Sequence, residues 1–149
     1  MNNVDVDLTK IQHWLSSLDL TKHKEDTRRI MDEATGLVYV QAQRNLHSMI
    51  NQTGKNKYGL TLASGISRKV WKNDQGGTVW INQCANYIVY MHGKGTKDRY
   101  TKGKNGKKQA FRGKLKAKPF FKNAVDSTES TVIALIQKRI IELINKLNK

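Results

Sequence analysis

The stretch from Lys94 to Lys122, "KGTKDRYTKGKNGKKQAFRGKLKAKPFFK", limits what this chain can fold into more than any other part of it. It holds twelve Lys and Arg against one Asp, and almost no apolar side chain before Phe120. Such a segment cannot bury enough surface to offset the entropy of ordering it. No core element can run through it, so the core must come from the chain on its N-terminal and C-terminal sides. The expectation for 94–118 is a mobile loop or an extended hairpin arm. The run then stops on Pro119-Phe120-Phe121, which is how a buried element begins, and Pro119 suits the first turn of a helix, where a missing N–H is no loss. The arm is therefore tethered at both ends.

The formal net charge of +15 is concentrated in this segment. Residues 1–36 hold five Lys and Arg against seven Asp and Glu, 37–93 six against one, and 123–149 four against three. A single basic segment on an otherwise balanced chain points to a local docking surface for nucleic acid or for an acidic protein face. The candidate docking residues are Lys102, Lys104, Lys107, Lys108, Arg112, Lys114, Lys116 and Lys118. Tyr100 and Phe111 lie within the run and have faces on which bases can stack, but a separation of eleven residues does not by itself make a stacking platform. The alternative is a solvated arm that orders only in an assembly.

On either side of the arm the apolar residues recur with clear periods. "DLTKIQHWLSSL" sets Leu8, Ile11, Trp14 or Leu15, and Leu18 on one helical face with Asp7 as N-cap. A longer stripe, Ile30, Ala34, Leu37 or Val38, Ala42, Leu46, Met49 and Ile50, predicts a long helix with Gly36 inside it, where a kink or a close packing contact is expected. Ile66–Lys72 and Thr78–Ile81 read as strands joined by "NDQGG", a hairpin loop whose glycines supply positive φ. "YIVYMH", Tyr87 to His92, has strand composition, although a helical turn also fits its length. After Pro119, Asp126 and Glu129 have capping-box spacing. Val132, Leu135, Ile136, Ile140, Leu143, Ile144 and Leu147 form the clearest amphipathic stripe in the chain, suited to packing on a sheet or to contact between subunits. The fold class is α+β: one domain over 1–149, with a small antiparallel sheet flanked by a long helix in the N-terminal half and a long C-terminal helix. Residues 1–29 add an extra N-terminal helix.

The composition argues against catalysis. None of His13, His23, His47 and His92 has a histidine or carboxylate at metal-ligand spacing, and "GKGTKDRYTKG" lacks Walker spacing. Between residues 37 and 93 the only carboxylate is Asp74, in a turn, so paired-carboxylate chemistry has no material. His92 with Lys94 or Arg99 is the one acid/base pairing to consider, as in a small nuclease. Cys84 is alone, which excludes an intramolecular disulfide, and reads as a small core residue. Trp71, Trp80, Tyr87 and Tyr90 read as core or interface residues. No segment has the length and apolarity of a membrane span, and the N-terminus lacks signal-peptide regions, so the expectation is a soluble chain made in the cytosol.

With these elements placed, three stretches resemble the tail-completion, or head–tail joining, proteins of long-tailed bacteriophages, the gene-product-ten-like tail components. "YGLTLASGI" (Tyr58–Ile66) is similar to the family's "TGxLxxSI" stretch leading into strands. "YIVYMHGKGT" (Tyr87–Thr96) is similar to "YAxxVExGT", and "AKPFFKNAVD" (Ala117–Asp126) to "xPFLxPAL". The matching anchors are Tyr58, Gly59, Tyr87, Gly93, Pro119, Phe120 and Ala124. His92 stands where the family has an acidic residue, and Asn123 where it has a second proline. The likeness spans about residues 30 to 149 and leaves 1–29 uncovered.

The resemblance implies a virion structural protein made in the host bacterial cytoplasm, with no catalysis and no cofactor. Its partners would be further copies of itself in a ring, commonly a hexamer, together with the head connector or adaptor and the tail tube or terminator proteins. DNA in the lumen is a possible contact of the arm, and no membrane is involved. The alternative from the residues alone is a nucleic-acid-binding module that uses the 94–118 arm.

Overall fold

The computed structural model describes residues 4–5, 23–50, 55, 58–82, 85–103 and 108–147. The helix expected over 7–18, with His13, and the lone Cys84 lie outside the described residues. Helix α1 spans Lys24–Met49. Strands β2 (Ile66–Val70) and β3 (Gly77–Ile81) pair antiparallel, and β1 (Val4–Asp5) lies on the other side of β3, giving the order β1-β3-β2. A single 3-10 turn, Leu62–Gly65, leads into β2. Helix α2 (Tyr87–Lys94) follows the sheet, then a second sheet of β4 (Arg99–Lys102) and β5 (Lys108–Gly113), then helix α3 (Phe120–Leu147). The α+β class holds, with two small antiparallel sheets rather than one.

Helix α1 forms where the apolar stripe runs, and Ile30, Ala34, Val38, Ala42 and Leu46 are all buried. Glu25 and Asp26 stand in its first turn, where carboxylates favour the positive end of the helix dipole. Thr27 and Thr35 are buried too, and each hydroxyl donates back to the carbonyl four residues earlier, His23 at 3.0 Å and Met31 at 2.8 Å. One face of α1 meets the sheet: Arg68 donates to the Asp32 carbonyl at 2.8 Å and lies over the Tyr39 ring. At Gly36 the nearest neighbour is this same guanidinium, since a Cβ there would sit 3.2 Å from Arg68 Nη1.

The opposite face of α1 takes α3. Glu33 pairs with Arg139 at 2.9 Å and Asp26 with Lys146 at 3.9 Å, so the two helices run antiparallel. Val132, Ile136, Ile140 and Leu143 fill the seam between them. The C-terminal stripe thus packs on a helix and not on the sheet, because α1 presents apolar positions on both of its sides and lies between the two. Asp126 and Glu129 do not cap this helix: Asp126 is already inside it and pairs with Lys122 at 2.5 Å.

In the β2–β3 turn the left-handed residue is Asp74, φ 59°, not a glycine. Asn73 supports the turn by accepting from the Gln75 N–H at 3.2 Å. The glycines are there for space instead, since a Cβ on Gly76 would fall 2.7 Å from the Trp71 ring and one on Gly77 2.5 Å from Thr35 Cγ2. Tyr87–His92 is helical rather than a strand. Asn86 starts it by accepting from the Ile88 N–H at 3.1 Å, and only Val89 of the helix is fully enclosed, which is the burial of one turn face and not of alternating residues.

Candidate docking arm

The basic segment folds as a hairpin standing on a compact base. β4 and β5 pair antiparallel with Arg99 opposite Gly113, Tyr100 opposite Phe111 and Lys102 opposite Lys108, the register slipping between these pairs. Thr101 holds the ribbon from its side chain, accepting from the Ala110 N–H at 2.9 Å. Arg99 lies along the opposite strand and donates to the carbonyls of Arg112 at 3.2 Å and Gly113 at 3.4 Å. Lys97, Arg112, Lys114 and Lys116 are exposed, whereas Lys118 is half-buried and its ammonium donates to the Met49 carbonyl at the end of α1. Lys118 is therefore part of the base and not of the docking set. Lys102 and Lys108 are placed by strand register, and Lys104 and Lys107 lie outside the described residues.

The base is made from the turn at Leu62–Gly65, helix α2 and the start of α3. Asn86 is buried; its side-chain amide donates to the Thr61 carbonyl at 2.9 Å while its oxygen caps α2. The Asn82 N–H donates to the Gly65 carbonyl at 2.8 Å, and Gly65 lies so close beneath α2 that a Cβ would meet Val89 at 2.5 Å. Gly93 leaves room for Ile81 and for the Phe120 ring, at 3.0 and 3.4 Å from where its Cβ would be. The two strands of chain that enter and leave the arm are tied together by Lys118 N–H to His92 C=O at 2.9 Å and Thr96 N–H to Leu115 C=O at 2.9 Å. Between these ties Gly95 adopts φ +75°, with the Ala117 nitrogen 2.9 Å from a would-be Cβ, so both its backbone and its surroundings demand glycine. Phe120 is fully buried at the start of α3, its carbonyl accepting from Asn45 at 3.1 Å, and Pro119 is the residue whose carbonyl opens the helix, accepting from Asn123 at 2.9 Å. Ala124 is fully buried one turn on, while Tyr58 is exposed and Gly59, at φ +75°, has open space around it.

His92 belongs to this base. Its Nδ1 is shielded from solvent and finds no hydrogen-bond partner among the described residues. Burial, with the Lys118 and Arg99 charges added to it, holds its pKa below the usual histidine range, so the ring is neutral at pH 7. Arg99 donates to carbonyls of the opposite strand, and the Lys94 ammonium lies over the Tyr90 ring at 5.4 Å. Among the described residues, no group of three or more His, Cys, Asp or Glu could hold a metal ion, and no helix is long and apolar enough to cross a membrane. A small depression between the first turn of α1 and the last turns of α3 is lined by Asp26, Arg29, Arg139, Glu142 and Lys146, whose charges pair with one another.

Four aromatic residues lie at the surface. Tyr100 and Phe111, eleven apart in the chain, are cross-strand neighbours with ring centroids 5.4 Å apart, and both are exposed. Strand pairing brings them together, and only the register could have revealed it. Tyr87 is exposed and stacks on Tyr90 at 5.8 Å, which leaves the interface part of its reading and removes the core part. Trp71 also lies at the surface, its Nε1 donating to Thr78 at 2.8 Å.

Comparison with protein-family models, with curated proteins and with solved structures gives no match to this chain.

Proposed function

We propose that this chain is a structural protein of a tailed-bacteriophage virion, a ring-forming component of the head–tail interface or of the tail, without catalytic activity. One observation supports the reading. The three stretches that resemble the tail-completion family are separated by tens of residues in sequence, yet they fold into one unit: the turn at Leu62–Gly65, helix α2 and the start of α3 pack on one another through Gly65, Val89, Gly93 and Phe120. In this reading the base is the common scaffold and the hairpin is the part that adapts to a particular partner. The partners are further copies of the chain and the connector and tail proteins on either side of the ring.

Disruption of the gene in the phage or prophage that carries it tests this. The expected result is an accumulation of filled heads and separate tails, or of defective tails, with joined particles restored by the gene supplied in trans. Normal yields of infectious particles, or absence of the protein from purified virions by mass spectrometry, would overturn the proposal.

A further inference from the structure

The β4–β5 hairpin carries an exposed pair of aromatic rings inside the most cationic segment of the chain, and the rest of the molecule narrows what can bind there. Six carboxylates of this chain, Asp26, Asp32, Glu33, Asp74, Asp126 and Glu142, are already paired with arginines or lysines of their own fold. The chain has twelve in all. Half of the chain's own carboxylates are therefore engaged within the fold, and a polyphosphate backbone is a denser source of counter-charge than a second copy.

Of the anionic partners, the aromatic pair favours one. Phe111 is 60% exposed and Tyr100 40%, and their planes are tilted by 55°, so the larger part of the Phe111 ring faces solvent beside Tyr100. A phenylalanine gains nothing from phosphates, and a duplex hides its base faces in the stack. Unstacked bases, by contrast, pair a π-face with a phosphate every nucleotide, which is the combination of aromatic rings and lysines found here. We infer that the β4–β5 hairpin binds single-stranded nucleic acid, with Phe111 stacking on bases and Lys97, Arg112, Lys114 and Lys116 meeting phosphates. The arm is held for this by its base: Thr96–Leu115 and His92–Lys118 close it, and Gly95 allows the chain to turn into it. This inference stands on the hairpin alone and does not depend on the virion reading.

The test is fluorescence anisotropy of the full chain with a labelled strand of about 20 nucleotides, long enough for any single site, and with the matching duplex. With four phosphates met, the affinity for the single strand falls about 50-fold between about 50 and about 200 mM salt. Phe111→Leu keeps an apolar cross-strand neighbour for Tyr100 but loses the stacking face, and weakens single-strand binding by about 5- to 150-fold, while Phe111→Trp retains it. Duplex binding is weaker and unchanged by Phe111→Leu. Amide spectra of the hairpin in each variant confirm that the ribbon is intact. Equal affinity for duplex and single strand with no effect of Phe111→Leu would overturn the inference, leaving simple electrostatics. Absence of binding to either at about 50 mM salt would also overturn it and assign the arm to an acidic protein surface. Neither result bears on whether heads and tails join.

Discussion

Gly65→Ala probes the contact on which the base of the arm depends. The added Cβ would lie 2.5 Å from Val89 Cβ and Cγ2 and 3.0 Å from Cγ1. Carbon atoms in favourable contact are about 3.5–4.0 Å apart, so about 1 Å must open between the 3-10 turn and α2. Rotation of Val89 cannot supply it, because Cβ is fixed to the helix backbone and Val89 is fully buried. Nor can the turn retreat freely, since the Gly65 carbonyl is bonded to the Asn82 N–H and the Thr61 carbonyl to Asn86. Overpacking of this kind costs about 1–3 kcal/mol, and a site pinned on both sides belongs at about 2–3. For a chain of this size that is a fall in Tm of about 4–12 °C. Urea denaturation with an unchanged m-value, combined with hydrogen exchange of the α2 amides, gives the free energy and locates it. A cost below about 0.5 kcal/mol, the range of an ordinary surface change, would refute the seating of α2 on Gly65 and the helical reading of Tyr87–Lys94 with it.

Gly36→Ala makes the same chemical change with the opposite expected sign: the neighbour at 3.2 Å is the end of the Arg68 side chain, which can shift a few tenths of an ångström, so helix propensity should raise stability by about 0.5–1 kcal/mol in thermal melts. Asn86→Ala removes the α2 cap and leaves the Thr61 carbonyl without its donor, lowering stability by about 2–3 kcal/mol by urea denaturation. For His92 the folded pKa lies below the value of 6.5 that the unfolded chain would show, so as pH falls past 6.5 the unfolded state takes up the proton first. Stability therefore declines as pH falls from 6.5 to the folded pKa and is level above 6.5, and His92→Gln should flatten that part of a Tm-against-pH curve. A decline of the same size in the variant would show that His92 does not carry it.

Much of the architecture was legible along the chain. Helix α1, the β2–β3 hairpin, helix α3 and the tethered arm each announce themselves through local pattern: a stripe of period three to four, β-branched residues around a turn, or a run of charge that cannot be buried. These signals need only neighbours in sequence, so the linear chain carries them. The features it did not carry depend on partners far away. Tyr87–Lys94 is a helix because Asn86 caps it and Gly65 gives Val89 a seat, and a short apolar run is compatible with strand or helix until that seat exists. The C-terminal stripe specifies a buried face but not its neighbour, and α1 claims it through Glu33 and Arg139. The Tyr100–Phe111 pair follows from a register with slips in it, which no spacing encodes. Periodicity decides which elements exist because it is a property of the backbone; tertiary structure decides what each face meets, because contact energies belong to pairs of residues that only folding brings together.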